Sequence, residues 1–117
     1  MFDDSKVSYE IEVWQDDAAV RGNAMCSGDA DFDRSVEDAI IAHLDNGDVW
    51  AWATVKVTAT YEGIDGVEGT DYLGCCSHKD EEAFKACGYY ADMKEEARRE
   101  LYDTLDDIAD KIAQIPR

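Results

Sequence analysis

Between Tyr90 and Ile115 apolar residues recur at steps of three and four: Tyr90, Met93, Ala97, Leu101, Leu105, Ile108, Ile112 and Ile115. Only an α-helix brings such positions onto one face, and Pro116 marks its end. A helix of this length runs roughly 39 Å at ~1.5 Å per residue, longer than a small sheet needs as cover. Two uses of it follow. It covers a sheet along its length, or its end pairs with another copy of the chain to give a homodimer. Gly88 separates it from a shorter helix opened by Ser77 or Asp80.

A period of two elsewhere supplies the sheet. Val7, Tyr9, Ile11 and Val13 alternate with Ser8, Glu10, Glu12 and Trp14, the pattern of a half-buried strand. Gln15-Asp16-Asp17 reads as a turn, and Ala18–Cys26 as a weaker return strand with a bulge at Gly22. Val49–Tyr61 is the clearest strand, expected at the centre. Gly63–Asp71 reads as a flexible acidic loop, and Tyr72–Cys76 as a short fourth strand. Between the strands, Asp33 is the expected N-cap of a helix over Arg34–Leu44. Val36, Ile40 and Leu44, with Ile41 beside them, form its buried stripe, and Asn46-Gly47 ends it.

The order β-β-α-β-(β)-α-α predicts an α+β fold: an antiparallel sheet of three to four strands, helices on one face and a long C-terminal helix. Residues 1–117 are read as a single acidic domain. Its expected core is Val7, Tyr9, Ile11, Val13, Val36, Ile40, Leu44, Val55, Val57, Phe84, Leu101 and Leu105.

Charge narrows the function. The chain carries 28 acidic and 11 basic residues, a formal net charge of −17. Solubility needs only about 2–8 units, and the excess costs stability through self-repulsion. It disfavours nucleic acid and anionic membrane as direct partners and favours basic ones. Acidity of the whole lineage, or adaptation to salt, is the alternative source; Asp outnumbers Glu by 18 to 10. Residues 1–78 carry a net −13 and residues 79–117 a net −4, which argues for a local acidic surface. Glu10, Glu12, Asp16, Asp17, Asp29, Asp31, Asp33, Glu37 and Asp38 are its expected members. Strand residues i and i+2 lie about 6.6 Å apart, so a row of carboxylates can present charge as a nucleic-acid backbone does. Trp14, Trp50 and Trp52 are placed either on that face as anchors or under the helices as core. Glu95, Glu96, Asp106 and Asp107, among mixed signs, are expected to matter less.

In size, acidity and α+β plan the chain resembles anti-defence proteins of phages and plasmids, the anti-CRISPR and antirestriction nucleic-acid mimics. The stretches Asp71-Tyr72-Leu73-Gly74-Cys75-Cys76-Ser77 and Gly88-Tyr89-Tyr90-Ala91-Asp92-Met93 are similar to small proteins of mobile elements. The resemblance implies a basic nucleic-acid-binding protein or complex as partner, within the cytoplasm of a host cell.

Chemistry finds little purchase. Asp29-x-Asp31-x-Asp33 begins like a calcium loop, but Arg34 stands where glycine is needed and Ile40 where the closing Glu belongs. Cys75, Cys76, His78 and Cys87 include an adjacent pair, poor geometry for zinc. The four cysteines read as buried reduced thiols, and His43 as a structural residue of the first helix. No phosphate-binding loop is present. The expectation is a non-enzymatic binding protein without metal or cofactor. No basic-then-apolar leader opens the sequence and no long apolar run occurs, so a cytoplasmic protein is expected.

Overall fold

The computed structural model describes residues 2–116. Its regular elements are β1 (Val7–Gln15), α1 (Ala30–Asp45), β2 (Ala53–Tyr61), β3 (Ile64–Cys76), α2 (Glu81–Ala86) and α3 (Gly88–Ala113). The fold is α+β, with one three-stranded antiparallel sheet in the order β1-β2-β3. The Glu62 amide donates to the Lys6 carbonyl at one end of the β1–β2 pair. The Asp16 amide donates to the Trp52 carbonyl at the other, which fixes the opposed directions. As the period of two predicts, β2 is central, and Ala53, Val55, Val57 and Ala59 are fully buried.

The chain divides into two compact units. The first comprises Met1–Ile11, Lys56–Tyr72 and Gly88–Arg117. Within it, Val7, Tyr9 and Ile11 are half-buried while Ser8 and Glu10 are exposed. The segment expected to be a flexible loop is instead the first part of β3, reached from β2 through Glu62-Gly63 alone. Gly63 and Gly66 both take φ of 82°, which permits the tight turn and a kink just after it. Pairing with β2 imposes strand geometry on a sequence with little strand propensity of its own.

Helix α3 buries Met93, Ala97, Leu101 and Leu105. It meets β3 at Gly69, where a Cβ would stand 2.0 Å from the Ala97 carbonyl oxygen and 2.4 Å from the Leu101 nitrogen. The N-terminal segment closes on the same helix. Phe2 stacks on Tyr102 at 4.8 Å, the Tyr102 hydroxyl donates to Asp4 Oδ1, and Arg98 Nη1 lies 3.5 Å from Asp4 Oδ2.

The second unit comprises Glu12–Val55 and Leu73–Cys87. The return strand expected over Ala18–Cys26 does not form. Gly22 (φ 82°) sits in a turn, and the Val20 carbonyl accepts from both Asn23 and Ala24. This segment is held by side chains: Trp52 Nε1 donates to the Ala18 carbonyl at 2.8 Å, and the Gly22 amide to Glu37 Oε2 at 2.7 Å. Val49–Ala51, expected to open the central strand, forms a 3-10 turn instead, closed by the Ala51 amide on the Asp48 carbonyl. Tyr72–Cys76 is the end of β3, not a fourth strand.

Helix α1 starts four residues earlier than expected. Asp29, not Asp33, caps it, accepting from the amides of Asp31 and Phe32. Its expected stripe of Val36, Ile40 and Leu44 is only half-buried, and its one buried residue is Glu37. Asp80 caps α2, and Phe84 packs fully buried, 5.4 Å from both the Trp50 and His78 rings. No helix among the described residues is long and apolar enough to cross a membrane.

Candidate functional site

The acids expected to form one surface have different fates. Glu10 and Glu12 are exposed on β1, two residues apart, and Glu10 belongs to the first unit. Asp17 and Asp31 are also exposed. The others are engaged within the second unit. Asp16 accepts through Oδ1 from the Ala18 amide (2.7 Å), and through Oδ2 from the Thr54 hydroxyl (2.8 Å) and the Cys75 amide (2.8 Å). The Cys75, Ala18 and Thr54 bonds hold its carboxyl below the ordinary carboxylate range. Cys75 is the one non-glycine residue at positive φ (52°) among the described residues, so Asp16 anchors a strained point of β3.

Asp29 is committed to its helix cap, and Asp33 accepts from the Ser27 hydroxyl at 2.6 Å. Glu37 lies 3.2 Å from Arg21 Nη1, and Asp38 pairs with Arg21 Nη2. Two separate clefts divide the set. One takes Asp16 and Asp17 with Arg21, Ile41 and Asp45. The other takes Asp31, Asp33 and Glu37 with Met25, Cys26 and Arg34. Within this set, Asp16 and Asp17 line a different cleft from Asp31, Asp33 and Glu37.

The tryptophans do not form an aromatic platform. Trp52 is 2% exposed, Trp50 is half-buried and packs on Phe84, and Trp14 is 41% exposed.

In the first unit a different acidic feature emerges. Glu96, Glu100, Asp103 and Asp107 follow one another at steps of four, three and four and share a face of α3. With Asp71 and Thr70 of β3 they line a groove of about 520 Å³, with Arg99 and Thr104 the other contributors. The Thr70 amide donates to Glu100 Oε1 at 3.3 Å, and Arg99 pairs with Glu96 at 2.6 Å. Along the chain the signs on this helix mix, which hides the face in the linear sequence. The same helical period that marks the apolar seam also brings these four acids onto one face, bordered by Arg99 and Lys111.

Charge divides differently between the compact units than between the two parts of the sequence. The first unit holds 15 acidic and 7 basic residues, a net −8; the second holds 13 and 4, a net −9. The cut after His78 grouped residues that the fold separates.

The nucleophilic and metal-ligating residues are scattered. Cys26 and Cys75 are exposed, Cys87 is half-buried and only Cys76 is buried, contrary to the reading of all four as buried thiols. Burial pushes the Cys76 thiol up to about 11, so it is protonated at neutral pH. His43 is exposed on α1, its Nδ1 3.7 Å from Asp48 Oδ2. Burial lowers the His78 pKa. Both histidines line a cleft of about 470 Å³ walled by Val36, Ala39 and Ile40. No group of three or more His, Cys, Asp or Glu among the described residues is arranged to hold a metal ion. No family model, curated protein or solved structure matches the chain.

Proposed function

We propose that the chain is a non-enzymatic acidic binding protein that occupies a basic, nucleic-acid-binding groove of another protein, as an inhibitor carried by a mobile element against a host defence complex. The observation that carries this reading is the acidic face of α3. Four carboxylates from Glu96 to Asp107 span roughly 16 Å at ~1.5 Å per residue, a spacing of the same few-ångström order as phosphates along a nucleic-acid strand. The disposition of the remaining acids adds to it. Glu37 is the only buried acid among the described residues, so nearly the whole net charge faces solvent. Fields of this sign speed encounter with a basic groove and repel nucleic acid itself.

The test begins with a nuclease-treated lysate of the host and asks whether the recovered complex loses its own nucleic acid as this protein is added. Two variants then locate the surface. One neutralises Glu96, Glu100, Asp103 and Asp107 to the amides; the other neutralises Glu10, Glu12, Asp17 and Asp31. Net charge changes equally in both, so a difference in association rate reports position, not total charge. The α3 set is expected to slow association about tenfold or more at low salt, and the effect should fade as salt screens it. Equal rates for both variants and the parent, or indifference to salt, would refute the reading. Slowing by the second set alone would move the surface to β1 and α1.

The nearly equal charge of the two units, −8 and −9, favours a second reading: a structural or housekeeping module whose acidity is that of its host. Equal Asp enrichment in the products of neighbouring genes would support it against the first.

A further inference from the structure

The apolar seam of α3 loses its cover before it ends. Met93, Ala97, Leu101 and Leu105 are buried, whereas Ile108, Ile112 and Ile115 are 37%, 51% and 59% exposed. Ile115 lies in the turn after the helix, its amide donating to the Ile112 carbonyl at 3.1 Å. At about 100° per residue, Leu101, Leu105, Ile108 and Ile112 fall within about 60° of one another, a single stripe half covered and half bare. One exposed isoleucine is ordinary; Ile108 and Ile112 on one stripe, with Ile115 in the turn just beyond it, mark a contact surface.

The charges around the bare half say what covers it. The positions flanking it are Thr104, Ala109 and Lys111. Asp103, Asp106, Asp107 and Asp110 all project about 120° or more from its midline. In a chain with 28 acids against 11 bases, this stripe has no acid at its edges. A second copy can therefore approach without opposing carboxylates, and the nearest acid beyond the edge, Asp107, is paired at 2.9 Å with Lys111 of its own helix. A straight stripe is also its own complement under a two-fold axis.

We propose that two copies of the chain pair antiparallel through Ile108, Ile112 and Ile115. The three partly exposed side chains offer at most a few hundred Å² per copy, against the ~800 Å² per partner of a standard stable interface. The dimer is accordingly weak, and repulsion between two molecules of −17 weakens it further at low salt. Added salt should strengthen it, the opposite of its effect on binding to a basic partner, so the two proposals fail separately.

Sedimentation equilibrium of the whole chain up to ~1 mM, in low and ~0.5 M salt, is the test. The dimer fraction should rise with concentration and with salt. Ile112→Lys should remain monomeric throughout with an unchanged far-ultraviolet spectrum, because the site is half-exposed, and Ile112→Leu should dimerise like the parent. A parent that stays monomeric at the highest concentration in both salts, or an Ile112→Lys variant that dimerises as well as the parent, overturns the proposal.

Discussion

Replacing Gly69 by alanine should be among the most damaging single-methyl changes this chain can suffer. The added Cβ would lie 2.0 Å from the Ala97 carbonyl oxygen, 2.4 Å from the Leu101 nitrogen and 3.0 Å from the Leu101 Cα. All three are backbone atoms, so no side-chain rotation relieves the clash. Restoring even a tight contact requires α3 to retreat about 1 Å from β3, and a gap of that size forfeits a quarter to a half of the dispersion energy across it. Met93, Ala97, Leu101 and Leu105 all lie on the face that would lift. Overpacking costs about 1–3 kcal/mol, and the rigidity of both partners puts this case at about 3 kcal/mol. For a chain of this size that is a fall in Tm of roughly 12 °C, and a urea midpoint lower by about 1 M or more. Thermal and urea unfolding followed by circular dichroism measure both. Gly88→Ala is the control: its Cβ meets nothing within 4 Å, its φ is not positive, and it starts α3. It should leave Tm unchanged or slightly raised. A Gly69→Ala protein melting within about 3 °C of the parent would show that the helix does not rest on this residue as described.

Two further outcomes follow from titrating groups. Asp16→Ala leaves the Ala18 and Cys75 amides and the Thr54 hydroxyl without their acceptor and should cost about 2–3 kcal/mol in urea unfolding. Because the folded pKa of Asp16 lies below its ordinary 3.8, its contribution is present above that value and is lost as pH falls through the folded pKa; Asp16→Asn should flatten the parent's acid-side loss of stability. Tyr102 runs the other way: burial and the bond to Asp4 push its phenol up to about 12, so its contribution holds below 10 and is lost as pH rises towards 12. In an ultraviolet titration of the folded protein one tyrosine should ionise late, and Tyr102→Phe should remove that late step.

The parts of the fold legible in the sequence are those where one period runs long enough to exclude others. The seam from Tyr90 to Leu105 and the alternation from Ala53 to Tyr61 predicted α3 and β2, and Asp80 and Gly88 marked the boundaries around α2. Gly69 carried no such signal: among Gly63, Gly66 and acids it looked like a loop, and only contact with α3 explains a glycine there. The missing return strand at Ala18–Cys26 and the strand at Ile64–Asp71 are errors of the same kind, since weak local preference gives way to available pairing. A two-residue turn at Glu62-Gly63 brings Ile64 directly alongside β2, whereas Ala18 and Gly22 are held by Trp52 and Glu37.

Acidic side chains expose a deeper limit on reading function from composition. Asp16, Asp29, Asp33 and Glu37 look no different in sequence from Asp17 and Asp31, yet the first four hold a strained strand, cap a helix, close a loop and pair with the half-exposed Arg21. An acid that satisfies backbone amides has its oxygens fixed and turned to those donors, so it is less free to pair with a partner's cation. An exposed acid contributes little to stability and keeps its field. The two roles therefore compete residue by residue. The face of α3 remains the stronger candidate because the helix backbone there satisfies itself. None of the four has a capping duty to perform: Asp103 lines the groove, and Glu96, Glu100 and Asp107 hold only exposed contacts to Arg99, Thr70 and Lys111.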